Sequence, residues 1–558
     1  MPYIYKIHAM ADGSRSSSAG STRKVVTPVF LRWLMPSVAD LIFVAILGAL
    51  VFTPLSVKLL NDAGIGWHVR TGQLILSTHQ VPREDPFSSQ ISLRWFAWEW
   101  LYDVAVGKLE AWCGLNGVVW LTAVVIAAAF AGTFRLAVKR GTNLLAALIL
   151  TLLALSASMI HFLARPHVFT WLFALVWFCI LDSTESDSRR SGRRLWILPV
   201  LMVVWVNVHG GFLLGFVILA SYWIASLWTW LRSKESRLEE SLHKISAGKR
   251  TRVLMLVGIA SALASLLNPY GWNLHEHIYE YLTNRFFMDH IDEFQSPNFH
   301  GVAQKCFLIL LLISIAAMAA RGGRLRLSQV LLALFAISAA LFASRNIPVS
   351  SILLVLIVGP LVPQLGFGRF TQKMGAVDSG LRGHLWPLVA SVATLAIAAN
   401  GGHVGTKKWM DAHFDPLRMP VDAVNFLRNK NARAYELQDA RAAEMAQCHP
   451  FVPMFSPDYW GGYLIYRNYP NNKVVFDDRH DFYGEWRLQK YLTLMHLEPG
   501  WEKWLDWFGG CMILPKSAPL TSVLSKSPEW KMIYTDDVAA VIVPAKWPPE
   551  DRDKVPAR

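Results

Sequence analysis

Charge is scarce in this chain. Asp, Glu, Lys and Arg make up 17% of its 558 residues, against about 25% in a typical soluble domain, while 53% are hydrophobic. That balance excludes an ordinary water-soluble fold. Acid is scarcer than base, 40 Asp and Glu against 54 Lys and Arg, giving a net charge of +14. The excess does not describe a nucleic-acid partner, because most of it sits in short loops between apolar runs, where Lys and Arg set membrane topology. Cysteine is rare as well. Cys113, Cys179, Cys306, Cys448 and Cys511 form no CxxC and no zinc spacing. Cys179 and Cys306 fall in apolar runs and read as core residues. A Cys448–Cys511 disulfide in an oxidising compartment is left open. The sequence has no internal repeat, P-loop, GxGxxG or GxSxG. Residues 1–32 are Ser-rich and basic and lack an apolar core with a small-residue cleavage site, so they read as a disordered cytoplasmic tail rather than a signal peptide.

What fills the chain instead is long apolar runs. Residues 33–401 divide into about eleven spans: 36–58, 115–137, 143–162, 165–183, 195–208, 210–231, 252–268, 302–320, 327–344, 346–365 and 384–401. The basic residues fall in alternate connections. One set holds Arg15, Arg23, Lys24 and Arg32 in the tail, then Arg135, Lys139 and Arg140, then Arg189, Arg190, Arg193 and Arg194, then residues 232–252, then Arg321, Arg324 and Arg326, and last Arg369, Lys373 and Arg382. The positive-inside rule makes that side cytoplasmic. The expected fold is therefore an all-α polytopic membrane bundle with its N-terminus in the cytoplasm.

The opposite connections carry the residue types that do chemistry. The loop 61–114 contains Asp62, His68, Asp85, Glu99 and Asp103 among many aromatics. The shorter turns bring His161, Arg165, His167, Asn207, His209, Asn268, Arg345 and Asn346 to the same side. Taken singly, each has a plain explanation. Asn-Pro and Arg-Asn-Ile-Pro are ordinary turn formers, and a lone interfacial His is usually a hydrogen-bonded anchor. Collected on one face, ionisable residues near membrane depth are costly and mark function. Residues 68–81 and the mixed aromatic and charged stretch within 269–301 read as amphipathic helices lying in the interface.

From about residue 402 the long apolar runs stop. Candidate strands at 452–456, 473–477, 511–514, 530–535 and 538–543, with helical patterns at 485–498 and 501–508, give an extracytoplasmic α/β domain over 402–558. Gly461 and Gly462 permit a tight turn or a close backbone approach. Asp477, Asp478, Arg479 and Asp481 cluster at the end of a candidate strand, where α/β sheets commonly bind ligands, and read otherwise as an ion-paired surface turn.

Carboxylates at a bilayer surface can deprotonate a hydroxyl or hold a divalent cation. Arginines can hold a phosphate by paired hydrogen bonds. The combination suits group transfer from a lipid phosphate. The span count, the acid just beyond the first span and the strings Asp62–His68, Val81–Ser88, Trp98–Leu101, Trp460–Tyr463 and Asp477–Asp481 resemble the GT-C superfamily of polyprenyl-phosphate-sugar glycosyltransferases, near a group of uncharacterised bacterial membrane proteins. The resemblance implies a bacterial cytoplasmic-membrane enzyme. Its donor would be a polyprenyl-phosphate sugar and its acceptor a saccharide or protein. The transfer would be inverting, with Asp62 as the catalytic carboxylate that orients or deprotonates the acceptor hydroxyl, and with Asp85 and Glu99 as a second acid or metal ligands. Arg165, Arg345 and His209 would hold the lipid phosphate, with His68, His161, His167, Asn207, Asn268 and Asn346 as further contacts. Many members of the superfamily pair two acids in this loop; here Ala63 and Gly64 follow Asp62, so dependence on Mg2+ or Mn2+ at Asp62 and Asp85 stays open. A lipid-linked saccharide transporter and a membrane scaffold with a glycan- or partner-binding outer domain are the competing readings.

Overall fold

The computed structural model describes residues 29–90, 93–186, 192–233, 238–362, 368–381, 383–436, 448, 452–508 and 510–545. Most of the expected tail lies outside the described residues, and its last four begin a short helix, Val29–Leu34. All eleven sequence-derived spans fall on helices. Among the described residues, seven helices are long and apolar enough to cross a membrane: Arg32–Phe52, Leu115–Lys139, Leu144–His161, His167–Glu185, Gly210–Arg232, Val302–Arg324 and Ser344–Leu361. Leu327–Phe342 and Leu385–Ala399 are apolar but shorter. The 195–208 span contracts to Ile197–Val206, and the 252–268 span is the apolar half of Leu238–Ser265, whose first half is charged.

Local chemistry sets the helix starts. Ser37 caps the first long helix, its hydroxyl accepting from the Asp40 backbone N–H while Asp40 accepts from Ser37 in return. Asn143 accepts from the Leu145 N–H at the start of Leu144–Ser158. The helix Leu115–Lys139 is the most enclosed of the crossing helices together with Ser344–Leu361, with 72% of each apolar window buried. Both read as hydrophobic all round because protein, rather than lipid, surrounds them.

Two further helices, Ile65–Thr78 and Trp100–Cys113, pack together above the bundle. The C-terminal sheet region, called the soluble domain below after its expected place outside the bilayer, sits on them. After a small hairpin of β1 (His403–Val404) and β2 (Lys407–Lys408), its mixed sheet comprises β3 (Met454–Phe455), β4 (Cys511–Pro515), β5 (Trp530–Thr535) and β6 (Ala539–Pro544), in the order β3-β4-β6-β5. β3 runs parallel to β4, and the other pairs are antiparallel. The expected strand at 473–477 is not one. Val474 instead makes single bridges, to Met454 on one side and Ser88 on the other. The Val474 N–H donates to the Phe87 carbonyl at 3.0 Å and the Ser89 N–H donates to the Val474 carbonyl at 2.8 Å. These residues spend their backbone groups tying the first loop to the sheet, which is why no ladder forms.

The Cys448–Cys511 disulfide is formed and closes a sequence separation of 63 residues. By the chain-entropy argument such a crosslink disfavours the unfolded domain by about 4 kcal/mol. Replacing both cysteines with Ala is expected to lower the thermal midpoint of the purified protein, and a reductant should do the same to the native chain. An unchanged midpoint in both cases would mean that the crosslink contributes nothing.

Candidate active site

A single cavity of about 1400 Å³ opens where the bundle, the first-loop helices and the soluble domain meet. Asp62, Glu99, His161, Arg165, His167, His209, Arg345 and Asn346 all line it, as does Asp478 from the soluble domain. Its deeper wall is apolar, including Leu50, Leu214, Phe335 and Val349 from the membrane helices.

Arg165 is the centre of the arrangement. Its Nε lies 3.2 Å from Asp62 Oδ2, and its Nη2 donates to Asp478 Oδ2 at 2.9 Å. Asp62 Oδ1 also accepts from the Gly64 N–H at 2.8 Å, and Asp478 Oδ1 accepts from the Trp67 indole at 3.0 Å. Burial pushes Asp478 up to about 6; Arg165 opposes this, and the Asp62 and Asp477 charges add to it. The acid missing beside Asp62 in sequence is thus supplied from 416 positions along, by the soluble domain. Glycine makes the approach possible. A Cβ on Gly64 would strike the Arg165 guanidinium and the Asp478 carboxylate. A Cβ on Gly462 would strike the Ala63 carbonyl, and one on Gly66 the Gly462 carbonyl. Gly461 and Gly462 therefore serve close backbone approach inside the helix Asp458–Asn468, not a turn.

A second group lies around Glu99, which is 3.8 Å from both His68 Nε2 and His209 Nε2. His68 Nδ1 and Asp103 Oδ1 share a hydrogen bond of 2.6 Å, and His209 Nδ1 pairs with the Thr170 hydroxyl at 2.8 Å. Burial pushes the Glu99 carboxyl up to about 8; the Arg165 charge opposes this and Asp481 reinforces it. Near neutral pH Glu99 is therefore protonated. On a third side Arg345 Nη1 lies 3.2 Å from Glu293 Oε1, and His161 Nε2 is buried with no hydrogen bond among the described residues. His167 Nε2 bonds the His161 carbonyl at 2.9 Å.

Other sequence-derived candidates stand outside the cavity. Asp85 was expected as a catalytic acid or metal ligand, but its side chain is 1% exposed and occupied. It accepts from Arg479 Nη1 at 2.7 Å and from the Phe87 and Ser88 N–H groups. Burial alone would raise its pKa, yet Arg479 and these donors hold it below the ordinary carboxylate value. The Asn207 amide donates to the Val203 and Leu267 carbonyls and accepts from the Trp100 indole at 2.6 Å. Asn268 closes its own turn, donating to the Ser265 and Gly271 carbonyls. His68 is fully buried behind Glu99. Asn346 reaches the cavity, although its amide donates to the Ala339 carbonyl. Sequence reasoning passed over Glu293, Thr170 and Tyr281. Glu293 was visible only as one acid in the 269–301 stretch.

A divalent cation does not fit the acids as they stand. Three of the four oxygens of Asp62 and Asp478 accept a hydrogen bond from the protein, the fourth, Asp62 Oδ2, is ion-paired with Arg165 Nε, and the Arg165 guanidinium already supplies positive charge to both carboxylates. Among the described residues no group of three or more His, Cys, Asp or Glu side chains is arranged to hold a metal.

No protein-family model matches the chain, and no curated protein matches it. Among solved structures it is similar to the oligosaccharyltransferase AglB from Archaeoglobus fulgidus in complex with an inhibitory peptide and a dolichol-phosphate. That match has 10% identity, 86% of this chain and 69% of that chain covered, and a TM-score of 0.49. It is also similar to ArnT from Cupriavidus metallidurans in the apo state, at 13% identity, with 90% and 96% covered and a TM-score of 0.41.

Proposed function

We propose that this polytopic membrane protein is an inverting glycosyltransferase, moving a sugar from a polyprenyl-phosphate donor to a hydroxyl of a saccharide or protein acceptor. The observation that carries the reading is the shared cavity: acids, cations and imidazoles in one lining, together with apolar side chains of the membrane helices. The acceptor oxygen attacks the anomeric carbon and the bond from that carbon to the phosphate oxygen breaks. The electron pair leaves with the polyprenyl phosphate, and the acceptor proton passes to Asp62. Phosphate is already a stabilised leaving group, so positioning and charge neutralisation do most of the work. Arg345, with His161, His167 and His209, provides the cationic and hydrogen-bonding side. Arg165 holds Asp62 and Asp478 in place and adds charge near the leaving group. The disulfide in the soluble domain supports placing the cavity on an oxidising, extracytoplasmic side, in agreement with the basic loops at the other end.

Glu99 gives the pH behaviour a sign. Protonated, it can stand near a phosphate without repelling it. Above its value of about 8 it becomes an anion, so the transfer rate is expected to fall as pH rises through that value. Glu99→Gln should remove that limb and keep most of the activity at neutral pH. A limb that persists in the Gln variant rules out Glu99 as its origin. Transfer should also continue in EDTA, because the arginine stands between the two acids; a rate lost in EDTA and restored by Mg2+ or Mn2+ would overturn that point.

The activity itself is tested by mass spectrometry of envelope glycans from cells with and without the protein. The expected result is a glycan lacking one sugar unit, restored by the wild-type chain and not by Asp62→Ala. Identical glycans in all strains would sink the proposal.

A further inference from the structure

The basic connections at the opposite end of the bundle set topology, but that role does not require them to meet. Two of them do. Lys139 and Arg140, at the end of Leu115–Lys139, and Arg324 and Arg326, in the turn between Val302–Arg324 and Leu327–Phe342, line a second cavity of about 550 Å³. They are nearly two hundred residues apart in sequence, so folding, rather than one basic run, brings four cations around one space. Asp182 is the single carboxylate in its lining, and it is paired with Arg140. Arg140 is also fixed by donating to the Leu356 carbonyl at 2.9 Å and by stacking on Phe178, while Arg326 lies 3.4 Å from Glu185. The side chains of Lys139 and Arg324 have no hydrogen bond or ion pair among the described residues. The cavity is therefore short of negative charge. Beside Ser183 and Gln329, the uncharged lining includes an apolar strip of Leu136, Ile357 and Leu361 from the membrane helices.

We infer that this cavity binds the phosphate of an anionic phospholipid, with Lys139 and Arg324 as the free cations, Arg140 as a fixed one, and Leu136, Ile357 and Leu361 against the glycerol and first acyl carbons. Basic pockets between membrane helices bind anionic headgroups in this way. The apolar wall selects a lipid over a free phosphate, which has nothing to place there. The site is separate from the cavity that holds Asp62 and does not depend on the proposed transferase reaction.

Native mass spectrometry of the full chain in detergent tests this, using dioleoyl-phosphatidylglycerol, dioleoyl-phosphatidylcholine and inorganic phosphate as probes. Wild type should bind phosphatidylglycerol in preference to phosphatidylcholine. The Lys139→Gln/Arg324→Gln variant should bind phosphatidylglycerol about 25-fold more weakly, at about fivefold per cation. The control variant Lys526→Gln/Lys531→Gln, on the exposed surface of the soluble domain, should bind as wild type does. Equal phosphatidylglycerol binding by wild type and Lys139→Gln/Arg324→Gln overturns the site, as does equal loss in the control. Displacement of the lipid by inorganic phosphate at matched concentration overturns the lipid assignment in favour of a free anion. Both substituted side chains lack partners, so the variant should fold, and an unchanged thermal midpoint without lipid checks that it does.

Discussion

Asp62→Asn is expected to lower the sugar-transfer rate by about a thousandfold while leaving the protein folded. A positioned base contributes roughly a hundred to ten thousandfold, and the amide cannot take the acceptor proton. The fold should survive because the Asn carbonyl oxygen can still accept from the Gly64 N–H, and Arg165 keeps its bond to Asp478. The loss should appear in kcat more than in KM, since the acceptor hydroxyl can still hydrogen-bond to the amide. Single-turnover transfer from a labelled polyprenyl-phosphate sugar measures it directly. A variant turning over at the wild-type rate would remove Asp62 from the chemistry and shift attention to other acids of the cavity, Glu99 and Asp478 among them.

The second large effect is on stability. Arg479→Met should destabilise the protein by about 3 to 5 kcal/mol, because removing one partner of a buried ion pair strands the other. Here it strands two. Asp477 takes bonds from Arg479 Nε and Nη2 at 2.8 and 2.7 Å, and Asp85 takes one from Nη1 at 2.7 Å. The guanidinium is also enclosed by the rings of Trp95 and Phe482, each 4.9 Å from it. Adding Asp85→Asn and Asp477→Asn to Arg479→Met should recover part of the loss, as expected for coupled sites. A cost below about 1 kcal/mol, the range of surface ion pairs, would show that this buried Asp85–Arg479–Asp477 group contributes no more than a surface pair.

The sequence revealed one face of this site better than its wiring. His161, Arg165, His167, His209 and Arg345 converge because the turns that hold them all lie at one end of the bundle, and loop charge alone reports which end. Partners were harder to read. Asp85 and Glu99 look alike in the sequence, two acids among aromatics in one loop. One is neutralised by an arginine 394 residues away, and the other faces a cavity. Nothing local distinguishes them, because burial and charge pairing are set by the soluble domain. The same holds for Asp478. The cluster at 477–481 was legible, but which of its acids turns inward is decided by Arg165 and Trp67. The expected strand at 473–477 shortened to single bridges for a related reason: an apolar β-branched run gives no sign that its backbone will be shared between a two-residue edge strand and a loop from the first part of the chain.

The backbone contact between Gly462 and Ala63 has a consequence for how this protein can be divided or recombined. The soluble domain looks detachable, with its own sheet and crosslink. Yet its helix presses directly on the chain that carries Asp62, and its Asp478 completes the pair around Arg165. A chimera joining this bundle to a related outer domain would inherit an active site made of two halves that had never been fitted together. Such grafts should express and insert, then fail at the reaction, unless the Asp62–Gly66 segment and the Trp460–Tyr463 helix are exchanged as one unit.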